Sequence, residues 1–164
     1  MTVPNVAFKV GDSVVYPTQG AGRIVGQVER IIAGKTNRYF EIELVKGSTK
    51  VLVPIGQGER IGLRRITEEK RIPELLTELE RPDLDLPVGW TPRHRKEQQI
   101  LAEGDIFKIA ALVGTLARRD SEKALSATEH KMMEDARHMV ATEIALSLDI
   151  SLEEATARIG RALS

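Results

Sequence analysis

The sequence predicts an α+β chain, with a small β-barrel of short strands followed by a compact all-α helical bundle. Three observations predict it. Short β-rich runs separated by glycine-containing turns fill residues 8–66, whereas from residue 67 onward apolar residues recur at helical spacing. The charge divides at the same place, with ten Lys/Arg against five Asp/Glu in residues 1–66 and 14 against 19 in residues 67–164. Aromatic residues are only 4% of a chain that is 41% hydrophobic, so both cores must be mainly aliphatic.

The strands come first. Ser13 to Tyr16 is one β-rich run. Arg23 to Ile32 alternates, placing Ile24, Gly26, Val28 and Arg30 on one face and Val25, Gln27 and Glu29 on the other. Gly34-Lys35-Thr36-Asn37 is the expected turn into Arg38 to Val45. Lys50 to Pro54 and Ile61 to Ile66 complete about five strands, too few for a sandwich but enough for a small bent barrel. The stretch FKVGDSVVYPTQGAGRIVGQV has glycines before the first strand, between strands and inside the second, where they mark turns and a bend. SH3-like and Tudor-like barrels read in this way and serve as adaptors. Arg30, Lys35, Arg38, Lys46 and Lys50 fall on or beside the hairpins. They are either a solubilising surface or a protein-docking face, and an open edge strand can accept a partner strand.

The helices follow. Thr67 is the expected N-cap before Glu68 and Glu69, and Pro73 restarts a helix in its first turn. Residues 67–87 are an acidic, proline-containing connector with seven Asp/Glu against three Lys/Arg. Arg81 to Pro92 breaks regular structure with three prolines and a glycine. A helix from about Arg93 to Glu103 ends at Gly104, and Asp105 caps the next, whose stripe is Ile106, Ile109, Ala110, Val113, Leu116 and Ala117. Ser126 and Glu129 have the spacing of a capping box before a long helix with the stripe Met133, Ala136, Val140 and Ile144. Ser151 and Glu154 repeat that spacing before a last helix. The expected domains are therefore 1–66 and 67–164.

Several function classes are disfavoured. There is no cysteine, hence no disulfide or thiolate site, and a reducing compartment is expected. The opening MTVPNVAFKVGD lacks a signal-peptide pattern, and no apolar run approaches the roughly 20 residues of a membrane helix. A cytoplasmic location is expected. His130 and His138 are eight residues apart, about 12 Å along a helix, too far to share a metal. Glu68-Glu69 and Glu153-Glu154 sit at helix starts, where they complement the dipole. There is no phosphate-binding loop and no nucleophile–base pair. The expectation is a non-enzyme without cofactor, metal or small-molecule substrate. A net charge of zero means that any nucleic-acid site must be a local patch.

The sharpest local feature is LPVGWTPRHRKE, residues 86–97, which holds the only Trp of the chain. Trp90 has two readings: an anchor packing a loop onto the bundle, or a flat ring presented to a partner. Its neighbours Gly89, Thr91 and Pro92 offer little apolar company. Arg93, Arg95 and Lys96 follow at once, and Arg93 and Lys96 are three apart on a helix. An apolar plate beside cations suits a wedge, in which the ring enters a base step and Arg and Lys hold phosphates.

The whole chain resembles the CarD/CdnL family of bacterial transcription regulators. The resemblance is carried by FKVGDSVVYPTQGAG, VERIIAG, KVLVP, GWTPRHRK and the long run from LAEGDIFKIA to ATEIALS, in that order. It implies a Tudor-like domain that docks on the β subunit of RNA polymerase and a helical domain that binds promoter DNA upstream of the −10 element. It further implies that a Trp, here Trp90, wedges into the minor groove at the upstream edge of the bubble and stabilises the open complex. The family's polymerase-contacting Arg corresponds to Arg30, with backbone pairing along Lys50, Val51, Leu52 and Val53. Leu52 stands where the family often has Arg. Arg95 corresponds to a DNA-contacting basic position, and His130 to another that is often Lys, so either Lys131 substitutes or the contact is weaker.

The expectation is therefore a monomeric transcription regulator that reads DNA shape and deformability rather than bases. Two alternatives remain. LSLDISLEEATARIG faintly resembles a helix–turn–helix, which would suit a sequence-specific DNA-binding protein. A pure interaction module would use Trp90 as a protein hot spot.

Overall fold

In the computed structural model, residues 8–17 and 19–164 are described. Residues 1–7 and Thr18, which belong to the expected first domain and its opening motif, lie outside the described residues. The chain forms two compact units, Met1–Ile66 and Thr67–Ser164.

The first unit is an antiparallel sheet of five strands among the described residues: β1 (Ser13–Tyr16), β2 (Gly20–Ile32), β3 (Lys35–Leu44), β4 (Lys50–Pro54) and β5 (Arg64–Arg65). Their order is β4-β3-β2-β1-β5, so β4 and β5 are the edges. Alternation along the strands sends Val14, Ile24, Phe40, Ile42, Leu44 and Val53 into one core with Leu63. A register shift between Ile24 and Gly26 bends β2, as the glycine inside that strand foretold. Gly22 lies so close to Glu43 and Leu44 that a Cβ there would meet backbone.

Two details differ from the sequence reading. The β2–β3 turn is Ala33-Gly34, tighter than the expected four residues, with Ile32 paired to Lys35. Both turn residues have positive φ, 53° and 78°, the mirror-image turn whose twist matches that of the strands. The hairpin therefore extends past the core, leaving Ile31 76% and Ile32 55% exposed. The expected strand Ile61–Ile66 is cut to two residues. Ile61 instead closes a short helix, α1 (Gly58–Ile61), and Gly62 has φ +93°, which no extended strand tolerates.

The second unit contains α2 (Ile72–Glu78), α3 (Trp90–Glu103), α4 (Ile106–Glu122), α5 (Ala127–Leu148) and α6 (Leu152–Leu163). α4 runs through the middle and is buried almost all round from Ile109 to Leu116. Asp105 accepts from the Phe107 amide, Ser126 from Glu129 and Ser151 from Glu154, so three of the four predicted caps form. α3 ends at Gly104 in the left-handed conformation.

The acidic connector is built into this unit. Ile72, Leu75 and Leu79 are core residues. Arg118 of α4 donates to the carbonyls of Leu79 and Arg81 and to Asp83, and Thr115 accepts from the Leu84 amide. Thr67 is not the helix cap expected of it. Glu68 precedes a 3-10 turn with no side-chain cap, while the Thr67 hydroxyl and amide both donate to buried Glu143 at 2.6 and 2.8 Å. Ser147 donates to the Thr67 carbonyl. No helix among the described residues is long and apolar enough to cross a membrane.

Candidate functional site

On the first unit, register decides which residues share a face. Gly26 pairs with Glu41 and Glu41 with Leu52; Val28 pairs with Tyr39 and Tyr39 with Pro54; Arg30 pairs with Asn37. Paired residues project to the same side of a sheet. Arg30 and Leu52 thus lie on one outer face, with Val28 and Tyr39 between them. Leu52 is 40% exposed there. Lys50 is exposed on that face and pairs with Glu41 at 3.2 Å. Val51 and Val53 point the other way, and Val53 is wholly buried, so only its backbone is available to a partner. Among the described residues β4 pairs with β3 alone and is an edge of the sheet. Arg38 is held by Glu29 across the hairpin.

On the second unit, α3 begins at Trp90, three residues earlier than the sequence suggested. Pro92 does not prevent this, because first-turn amides have no intrahelical acceptor. Gly89 is the N-cap, and the Arg93 amide already bonds to its carbonyl at 3.0 Å. Trp90 is thus a first-turn helical residue, 42% exposed, and the preceding Val88 is 92% exposed. The indole stacks on His94 one turn on, with centroids 5.0 Å apart and planes inclined by 24°. The Arg93 guanidinium lies 5.4 Å from the indole centroid.

Arg93 departs from the role expected of it as a phosphate-holding cation. It is 9% exposed. Its Nε and Nη2 donate to the two carboxylate oxygens of Glu129 at 3.2 and 3.0 Å, and its Nη1 donates to the Val88 carbonyl at 2.9 Å. Removing one partner of such a buried pair typically costs about 3–5 kcal/mol. Arg93 is committed inside the protein because Glu129, the third residue of α5, reaches back to it rather than to Ser126. Half of the predicted capping box therefore exists, and its acid serves another helix.

Glu97, one turn after Arg93, is fully buried and lies 3.7 Å from Arg93 Nε. Burial, then the hydrogen bond and repulsion with Glu129, push its carboxyl up to about 8, against the opposing charges of Arg93 and Arg119. Burial acts in the same direction on Glu129. The hydrogen bonds from Arg93 and Glu97 and the charges of Arg93 and Arg119 outweigh it and hold Glu129 below the usual carboxylate range. The pair thus holds one proton between them at neutral pH, carried by Glu97.

Arg95 and Lys96 are exposed. At 100° per residue they leave α3 about 140° and 120° from Trp90 in opposite senses, so both project from the side of the helix away from the ring. Lys96 also lines a groove of about 290 Å³ with Arg81, Leu84 and Ile100. His130 and Lys131 are exposed in the first turns of α5. The bond of Arg93 to Glu129 brings that turn to the start of α3, although the two residues are 36 apart in sequence. Lys131 pairs with Asp135 at 3.0 Å, an exposed contact worth no more than about 1 kcal/mol. In α6, Arg158 and Arg161 both engage Glu154. Among the described residues no three His, Cys, Asp or Glu side chains are grouped to hold a metal.

Val88, Glu97 and Glu129 are the members of this region that sequence reasoning missed. Val88 had a signal, as an apolar residue framed by Pro87 and Gly89. Glu97 had none, since it reads as an ordinary helix-surface acid, and Glu129 was read only as the capping-box partner of Ser126.

Residues 74–160 match the family profile described as the CarD C-terminal domain, and residues 8–67 match that of the CarD-like/TRCF RID domain. The chain is 26% identical over 137 residues to the Bacillus subtilis (strain 168) protein named "Putative transcription factor YdeB", covering 84% of this chain and 90% of that one. It is also 33% identical to the solution structure of the 72-residue N-terminal domain of Myxococcus xanthus CarD, over 35% of this chain and 76% of that one, with a TM-score of 0.30. With both of its units matched in order, the chain belongs to the CarD family of transcription regulators that interact with RNA polymerase.

Proposed function

We propose that this protein docks on the β subunit of RNA polymerase through the outer face and free edge of its sheet and stabilises the promoter open complex with Trp90. The ring enters the minor groove at the upstream edge of the bubble, just upstream of the −10 element. The observation that carries this reading is a large apolar ring, 42% exposed, set in a helix's first turn and backed by a stacked His94 and a buried Arg93. A ring that served only as a core anchor would be covered. Arg95 and Lys96 on the far side of α3, with His130 and Lys131 in the first turns of α5, face backbone phosphates, while Val88 adds apolar surface next to Trp90 in the chain. On the sheet, Arg30 and Leu52 lie on the docking face, with Lys50 beside them and the edge backbone of residues 50–53 open to a partner strand. Wedging costs a few kcal/mol of unstacking, so it favours DNA already distorted at the fork.

The test is the lifetime of open complexes after competitor challenge, with wild type and Trp90→Ala. The expected outcome is a shorter lifetime with the variant. Equal lifetimes would remove the wedge. The helix–turn–helix alternative is disfavoured, because the arginines of α6 are engaged by Glu154. The protein acts without catalysis in this reading, as a monomer in the cytoplasm.

A further inference from the structure

We propose that Arg93, Glu129 and Glu97 form a positioning relay for Trp90, which sets how far the indole projects from the start of α3. The inference rests on the reading of Trp90 as a DNA-facing ring, but it concerns the free protein.

The start of α3 needs an external tie. Its N-cap is Gly89, which offers no capping side chain, and the preceding segment has no regular secondary structure. Arg93 supplies the tie. One guanidinium nitrogen holds the Val88 carbonyl, two grip Glu129 at the start of α5, and the plane lies near the indole. The ring therefore rests on a group clamped from a second helix. His94, whose Nδ1 is buried and meets no hydrogen-bond partner among the described residues, covers part of the indole.

Glu97 makes this clamp adjustable. Neither of its carboxyl oxygens has a hydrogen-bond donor among the described residues. With a proton, Glu97 donates to Glu129, and Glu129 with Arg93 forms a balanced pair. Without it, two buried carboxylates face one guanidinium. Glu97, already 3.7 Å from Arg93 Nε, then competes with Glu129 for Arg93 and draws it off the Val88 carbonyl. The charged groups facing this point are Arg93 from α3, Glu129 from α5 and Arg119 from α4, with His94 beside the ring. Because the Glu97 carboxyl is pushed up to about 8, this change falls just above neutral pH. The ring is held close below that point and released above it.

Trp90 is the only Trp of the chain, so its emission and acrylamide quenching report the relay directly. The full-length protein is titrated from pH 6 to 9.5 as wild type, Glu97→Gln, Arg93→Gln and His94→Gln, with helix content followed by circular dichroism. In wild type the ring should become more accessible, with red-shifted emission, as pH rises through about 8. Glu97→Gln, which keeps a neutral donor, should stay in the low-pH state throughout. Arg93→Gln should be accessible at every pH, and His94→Gln should keep the transition. A transition that survives in Glu97→Gln but vanishes in His94→Gln would overturn the relay. So would a folded Arg93→Gln with wild-type emission at pH 6. If Arg93→Gln fails to fold, Glu97→Gln decides alone. Open-complex lifetimes separate the two readings. A Glu97→Gln lifetime longer than wild type at pH 8.5 supports both. The expected emission changes with lifetimes that no variant alters, Trp90→Ala included, would leave the relay and remove the wedge.

Discussion

Glu97 carries more consequence than any other single residue in the bundle after Trp90. Its carboxyl is ordinary in the unfolded chain, near 4.5, and about 8 in the folded one. Between those values the folded protein binds a proton that the unfolded chain has released, so stability falls as pH rises. The contribution is fully present below about 4.5 and is lost as pH passes through about 8. Glu129 works oppositely: held below its ordinary value, it contributes stability that is lost as pH falls into the acid range. Glu97→Gln should therefore flatten the decline in urea-unfolding stability between pH 5 and 8 that wild type shows. A variant with an unchanged slope would contradict the buried, protonated state. At this scale the sequence was partly legible. Trp90, Arg95 and Lys96 could be picked out by type and spacing. That Arg93 turns inward could not, because its partner Glu129 lies on a different helix.

At the scale of elements, caps and stripes were readable, since both are local. Asp105, Ser126 and Ser151 each accept from the backbone amide that sequence spacing predicted. The failures are places where a distant element intervened. Thr67 had an acceptor on α5 that a local reading cannot see. Gly114, in the middle of α4, gave no signal either. It lies where α2 ends, and a methyl group there would run into the Leu79 carbonyl. Gly160 in α6 has an ordinary 3.6 Å neighbour in the Arg137 side chain. Gly114→Ala should therefore destabilise by about 1–3 kcal/mol through overpacking, while Gly160→Ala should be neutral or stabilising by up to about 1 kcal/mol. Denaturant unfolding of the two variants checks both. Similar effects from the two substitutions would mean that helix propensity, not the close approach of α2 to α4, governs position 114.

At the scale of the whole molecule, two units divide the work. The bundle is not basic overall, so under the proposed function free DNA affinity should be weak, and docking on polymerase would supply the effective concentration that places Trp90 at the fork. Arg30→Glu should sharply reduce retention on immobilised polymerase while leaving the fold intact, since Arg30 is exposed and its side-chain hydrogen bond among the described residues is to the neighbouring Glu29 carbonyl. Unchanged retention would undercut the docking face.

The sequence by itself determined the fold class, the order of nearly every element, three of the four predicted helix caps, the two aliphatic cores and the likeness to the CarD family. All of these are written in periods, turns and neighbours a few residues apart. The tertiary structure alone decided which side chains meet. It aligned Arg30 and Leu52 through the register of three strands, extended the hairpin beyond its core, and bound the acidic connector into the bundle. It also joined the starts of α3 and α5 through Arg93 and Glu129. The physical reason is the same in each case. A buried charge takes the partner that folding brings to it, and that partner is set by packing between elements far apart in the chain.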